Sequence, residues 1–169
     1  MALPPTWNLF GEDHLPHRLQ LLARMIDRES ARQLQSQSGL SLADWRVLAF
    51  AGTAGMTSAA EICTAFQIDR AEVSRAISKL SQSGLIVRTP DDGNRKRLLL
   101  QLTPAGTALF SKTRQARVAY FAKITADLTT EERRTLEKLI TKIAQAVDSF
   151  GHGASNSMTE LTSETREVD

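Results

Sequence analysis

The sequence is short of several residue types that common functional sites need. It has one cysteine, Cys63, which excludes an intrachain disulfide framework and a cysteine-based zinc finger. That usage fits a reducing cytoplasm. Of three histidines one, His152, lies in the C-terminal segment, so catalytic constellations are hard to assemble. There is no glycine-rich phosphate loop, no Gly-x-Ser-x-Gly elbow and no His-Glu-x-x-His. Neither an enzyme nor a cofactor is expected. Nine aromatics, with Tyr120 the only tyrosine, are too few for the base-stacking platforms of single-strand or RNA binders. Long apolar runs are also missing. Uncharged stretches such as Val47 to Ala60 reach about fourteen residues, where a bilayer span needs ~18–20, so no membrane partner is expected. The N-terminus carries no basic n-region and meets Glu12 and Asp13 early, so no secretion signal is expected.

Net charge is scarce as well, +2 from 21 basic and 19 acidic residues. Taken as a sum, that argues against nucleic acid, but the distribution decides. Residues 151–169 carry four acids against Arg166 alone, which leaves residues 1–150 at +5. The segment from Arg70 to Arg97 holds seven bases (Arg70, Arg75, Lys79, Arg88, Arg95, Lys96, Arg97) against Glu72, Asp91 and Asp92. A length of 169 residues fits one globular domain with room for a tail.

What the chain has in abundance is helix-start signals. Ser41 with Asp44, Ser58 with Glu61, Asp69 with Glu72 and Thr129 with Glu132 each place a capping oxygen three residues before an acid. Thr103-Pro104 adds a cap followed by proline at the first helical position. Apolar spacing then predicts helices over about 12–37, 42–51, 59–66, 70–82, 104–126 and 130–149. Between the fourth and fifth, two short apolar runs flank Pro90-Asp-Asp-Gly-Asn-Arg-Lys and read as a β-hairpin with a long loop. Beyond Phe150 the chain turns acidic and apolar-poor, and 151–169 reads as a disordered tail. The expected organisation is an N-terminal extension over 1–11, one domain over 12–150, and that tail. Two short helices joined at Gln67-Ile68 and followed by a hairpin make a winged helix-turn-helix, within a mainly α fold.

These residues resemble the MarR (multiple antibiotic resistance regulator) family of bacterial transcription factors over about 12–150. The segments that carry the resemblance are Leu42-Ala-Asp-Trp-Arg-Val-Leu, Ile68-Asp-Arg-Ala-Glu-Val-Ser-Arg-Ala-Ile, Lys79-Leu with Gly84-Leu-Ile, and Asn94-Arg-Lys-Arg with Leu102-Thr-Pro-Ala-Gly106. The resemblance implies a homodimer, with a winged helix-turn-helix at about 40–103 and long dimerisation helices at about 12–37 and 104–149. The two C-terminal helices also look too apolar for a monomer to cover. It implies that helix 70–82 enters the major groove of a palindromic operator and that a wing at about 89–97 meets the minor groove.

On that reading Arg70 and Ser74 reach base edges, and Arg75 and Lys79 contact phosphates. Arg95, Lys96 and Arg97 form the basic wing. The plain alternative is a solvated helix face with ordinary i,i+4 pairs. Where the family carries an Asp two positions before an Arg in the wing, this chain has Asn94 and Lys96, which removes the ion pair.

Many family members release DNA when a small aromatic acid or phenol enters a cleft between dimer base and DNA head. His14, His17, Arg18 and Arg46 are the candidate polar groups, with Trp45 and Phe10 as apolar cover; ordinary packing is the competing account. His14 and His17 alone make a weak metal pair, and Cys63 reads as a structural thiol. A repressor that needs no ligand, and a winged helix that binds protein rather than DNA, remain as alternatives.

Overall fold

Each of the anticipated caps forms, and the helices grow from them. In the computed structural model, which describes residues 3–11, 14–91 and 93–164 (side chains at 95, 96 and 151–164 excluded), Ser41 and Ser58 make reciprocal capping boxes with Asp44 and Glu61. They start α2 (Leu42–Ala54) and α3 (Ala59–Phe66). Asp69 caps α4 (Arg70–Gln82) by accepting from the N–H groups of Ala71 and Glu72. Thr103 caps α5 (Pro104–Ile124), its Oγ1 accepting from Gly106 N at 3.0 Å. Before them runs α1 (Leu15–Ser38), closed by Gly39 in the left-handed region at φ 66°. A single 3-10 turn, Pro5–Asn8, lies within the expected N-terminal extension.

The chain divides into two units, residues 1–118 and 119–169. In the first, α2 and α3 pack on the buried face of α4. Leu40, Val47, Leu48, Ile62, Val73, Ile77 and Leu80 form one core with Ile86, Leu100 and Phe110. Burying that many large aliphatic side chains, at roughly 1.5–3 kcal/mol each, is the main force holding the helices together. Trp45 stacks on Phe110 with ring centroids 6.1 Å apart, and Phe110 also covers Gly52. A three-stranded antiparallel sheet closes the unit, in the order β1 (Thr57–Ser58), β3 (Asn94–Leu102), β2 (Ile86–Asp91).

Two features of the sheet correct the sequence reading. The long hairpin loop expected over 90–96 is mostly strand: pairing runs from Ile86↔Leu102 out to Asp91↔Asn94, with a register shift at Pro90/Asp91 that absorbs the proline. The third strand, β1, was not anticipated. It has two residues, pairs Thr57↔Leu100 and Ser58↔Leu99, and runs straight into α3.

The second unit contains the end of α5 and α6 (Thr130–Glu164), started by Thr129 and Glu132 in a reciprocal capping box. The Thr129 backbone and hydroxyl hydrogen bonds hold the Glu132 carboxyl below its ordinary range. Along α6, Leu136, Leu139, Ile140, Val147 and Phe150 stay exposed, Val147 at 64% and Phe150 at 77%. The helix runs past the end expected at 149, because Gly151 and Gly153 weaken a helix without removing a backbone donor as proline would. The expected disordered tail falls on 151–169, where residues 165–169 and the side chains from 151 onward lie outside the description.

Candidate nucleic-acid interface

The turn between α3 and α4 is built without glycine. Gln67 takes φ 51°, and the N–H groups of Gln67 and Ile68 both donate to the Cys63 carbonyl, which offsets the cost of a left-handed non-glycine residue. Cys63 itself is half-buried beside the core. Past the turn, Val73, Ala76, Ile77 and Leu80 face inward, which leaves Arg70, Ser74, Arg75 and Lys79 on the exposed side of α4. The helix-turn-helix therefore presents the four residues that the sequence assigned to that face.

Their surroundings differ. Arg70, the first residue of α4, lines an open groove of about 560 Å³ with Ala59, Glu61, Arg97 and Leu98. Arg75 lines a second groove of about 320 Å³ beside the start of α2. Lys79 is engaged: its Nζ lies 2.5 Å from Oδ2 of Asp44, a carboxylate only 2% exposed. The Lys79 side chain itself is 54% exposed.

The wing shows the same division. Arg97 Nη2 donates to Glu61 Oε1 at 2.6 Å and to Ser58 Oγ at 3.4 Å, and its Nε lies 3.7 Å from Asp91 Oδ2. Glu61 in turn accepts from Ser58 N at 2.8 Å and from the Thr57 hydroxyl at 3.0 Å. The Ser58 backbone bond, then the Arg97 guanidinium and the two hydroxyls, hold the Glu61 carboxyl from the ordinary 4.5 down to about 2. Asp91 also accepts from Gly93 N at 2.9 Å and so shapes the turn. The wing thus has an acid–arginine pair at Asp91 and Arg97, in place of the one that Asn94 and Lys96 cannot make. Arg95 and Lys96 belong to the β3 backbone, and their side chains lie outside the description.

Arg88, counted in the basic run but given no role, donates to Ser81 Oγ at 3.1 Å and Ser78 Oγ at 3.2 Å, which ties β2 to α4. Asp44, Glu61 and Asp91 were missed as holders of these bases. The capping pattern flagged the first two as helix starters, but no local signal reveals a partner 35 or 36 residues away.

The proposed ligand residues fall into two groups. At the start of α1, Phe10 stacks on His14 (centroids 5.0 Å) and meets His17 edge-on (4.8 Å). His17 Nε2 lies 3.1 Å from Thr6 O. The Arg18 guanidinium donates to Trp7 O, Asn8 Oδ1 and Gly11 O, so it fastens the N-terminal turn to α1. On α2, Trp45 packs on Phe110 and Arg46 pairs with Asp27 at 3.6 Å.

Among the described residues no helix is long and apolar enough to cross a membrane. The model of the MarR family matches residues 38–97, the segment that holds α2 to α4 and most of the wing. The HTH-type transcriptional repressor MdtR of Bacillus subtilis is 29% identical over 131 residues, 78% of this chain and 84% of its own length. Among solved structures, a cysteine-to-serine mutant of MarR from E. coli complexed with operator DNA has a TM-score of 0.69 at 21% identity, over 83% of this chain and 99% of that one. BpsR of Bordetella bronchiseptica, whose structure addresses regulation of DNA binding by 6-hydroxynicotinic acid, has a TM-score of 0.64 at 25% identity, over 75% and 98% of the two chains. The winged helix-turn-helix is thus similar in sequence to the MarR family over residues 38–97, and similar in fold to the solved structures of that family.

Proposed function

We propose that this chain is a transcriptional regulator of the MarR type, a homodimeric, sequence-specific repressor of the cytoplasm, displaced from a palindromic operator by a small aromatic acid or phenol. The observation that carries the DNA reading is the exposed face of α4. Arg70 and Arg75 lie there with no acidic partner among the described residues, while the opposite face is locked into the core. Arg70 and Ser74, in the first turns of α4, read base edges, and Arg75 holds a phosphate. The basic wing residues Arg95 and Lys96 follow the minor groove. The apolar row Leu136, Ile140, Val147 and Phe150 on α6 supports burial against a second copy. The two α4 helices then read half-sites about one helical turn apart.

For the ligand, Arg46 is the group best suited to a carboxylate. It would exchange a weak, half-exposed pairing with Asp27 for a bidentate one, beside the Trp45 ring. Such a ligand acts only by favouring the arrangement of heads that does not fit DNA.

An electrophoretic shift assay over a salt series tests the DNA reading. Arg75→Ala should weaken binding to all duplexes and reduce the salt slope by about 0.9 per protomer, whereas Arg70→Ala should change sequence preference. Neither effect appearing refutes the helix assignment. Calorimetry against benzoates, cinnamates and phenols tests the effector; no heat across the panel leaves a ligand-independent repressor.

A further inference from the structure

Two of the three acids that hold bases on the DNA-facing side, Asp44 and Glu61, share an unusual placement. Asp44 and Glu61 are each the third helical residue of a capping box, in α2 and α3. Asp44 Oδ2 accepts from Ser41 N at 2.8 Å and from Lys79 Nζ at 2.5 Å, so one buried oxygen starts α2 and grips α4. Glu61 uses Oε2 for Ser58 N and Oε1 for Arg97. One carboxylate therefore starts α3 and grips β3. In both cases the base lies on the element that meets DNA and the acid on the supporting helix behind it.

From this repeated arrangement we infer that Lys79 and Arg97 are positioning residues rather than phosphate contacts, and that Asp44 and Glu61 aim the reading helix and the wing. The inference rests on the DNA reading above. A lysine paired with a buried carboxylate has a charge already neutralised, and surrendering it to a phosphate would leave Asp44 buried and uncompensated. Lys79 is therefore held in place by the very residue that cancels its charge. Arg97 lies between Glu61 and Asp91, with two acids against one guanidinium, and offers a phosphate no net attraction.

The two roles make opposite demands on Asp44. If the DNA-facing side works by charge alone, Asp44→Asn removes a negative group and should tighten binding to any duplex. If Asp44 aims α4, the same change should lose discrimination although no positive charge has been touched.

The test uses the full-length chain with two probes, a duplex selected from a random pool by the wild type, and mixed-sequence duplex. Asp44→Asn, Lys79→Met, Lys79→Arg and the Asp44→Asn/Lys79→Met pair are compared, with circular dichroism confirming that each is folded. Positioning predicts that Asp44→Asn and Lys79→Met each reduce the ratio of selected to mixed-sequence affinity by about tenfold, comparable to one mismatched base pair. It also predicts that the salt slope on mixed-sequence DNA is unchanged, that the double variant is no worse than either single one, and that Lys79→Arg keeps the ratio. Should Asp44→Asn fail to fold, Lys79→Met and Lys79→Arg decide the matter alone. A slope reduced by about 0.9 per protomer in Lys79→Met, with the ratio unchanged, overturns the inference and makes Lys79 a phosphate contact. A wild type that enriches no duplex and shows no salt-dependent binding overturns the DNA reading itself, and this inference with it.

Discussion

Gly106→Ala should cost this protein more stability than its position in a helix suggests. Gly106 lies in the first turn of α5, where alanine ordinarily gains up to about 1 kcal/mol over glycine. Here a Cβ would lie 2.0 Å from the Leu85 carbonyl oxygen and 3.0 Å from its carbon. Both are backbone atoms, so no side chain can swing aside. That oxygen is fixed by Thr103, whose N–H donates to it at 3.0 Å and whose hydroxyl lies 3.2 Å away. Relief needs a shift of more than 1 Å between the start of α5 and the residue before β2, since carbon contacts normally settle near ~3.5 Å. Two hydrogen bonds net about 1 kcal/mol each, and overpacking adds about 1–3 kcal/mol. Set against the helix gain, the net loss is about 2–4 kcal/mol, or roughly 5–15 °C in Tm for a chain of this size. Thermal unfolding followed by far-ultraviolet circular dichroism reads it directly. A Gly106→Ala protein melting within a degree of the wild type, or above it, would refute the reasoning.

Two other perturbations test the winged helix-turn-helix. The Glu61 carboxyl is held at about 2 in the folded chain against an ordinary 4.5, so its contribution is complete above pH 4.5 and is lost as pH falls towards 2. Urea midpoints measured down that range should fall more steeply for wild type than for Glu61→Gln; parallel curves would show that the carboxylate adds nothing. Asp69 accepts from two N–H groups at the start of α4, at 2.7 and 3.2 Å, so Asp69→Ala should cost about 1 kcal/mol and Asp69→Ser far less. Equal Tm values for the two variants would remove the capping argument.

What could be read from the sequence was what neighbouring residues decide. Ser58 and Glu61 announce a helix start because cap and acid are three residues apart, and α3 and α4 begin where their caps place them. Pairings across the chain left no such mark. β1 has only two residues, and its strand partner Leu100 lies beyond α3, α4 and β2. The strand extent of the wing was hidden by Pro90 and Gly93, which read as loop residues although the register shift accommodates the proline. The same separation in sequence explains the site. Counting seven bases between Arg70 and Arg97 singled out one stretch of chain, but the count could not tell Arg70 and Arg75, which have no acidic partner among the described residues, from Lys79 and Arg97, each held by an acid from another helix.

β1 bears on whether the winged helix-turn-helix can be moved to another protein. Thr57 and Ser58 are buried, they supply the third strand, and Ser58 caps the first helix of the helix-turn-helix. The excised stretch from Thr57 to Gly84 would carry the cap without the strand it leans on, and Glu61 without Arg97. Transplanted by itself, it would lack the support that sets the start of α3. The smallest portable unit therefore extends at least through Leu102, with the returning strand treated as part of the helix-turn-helix rather than as an accessory to it.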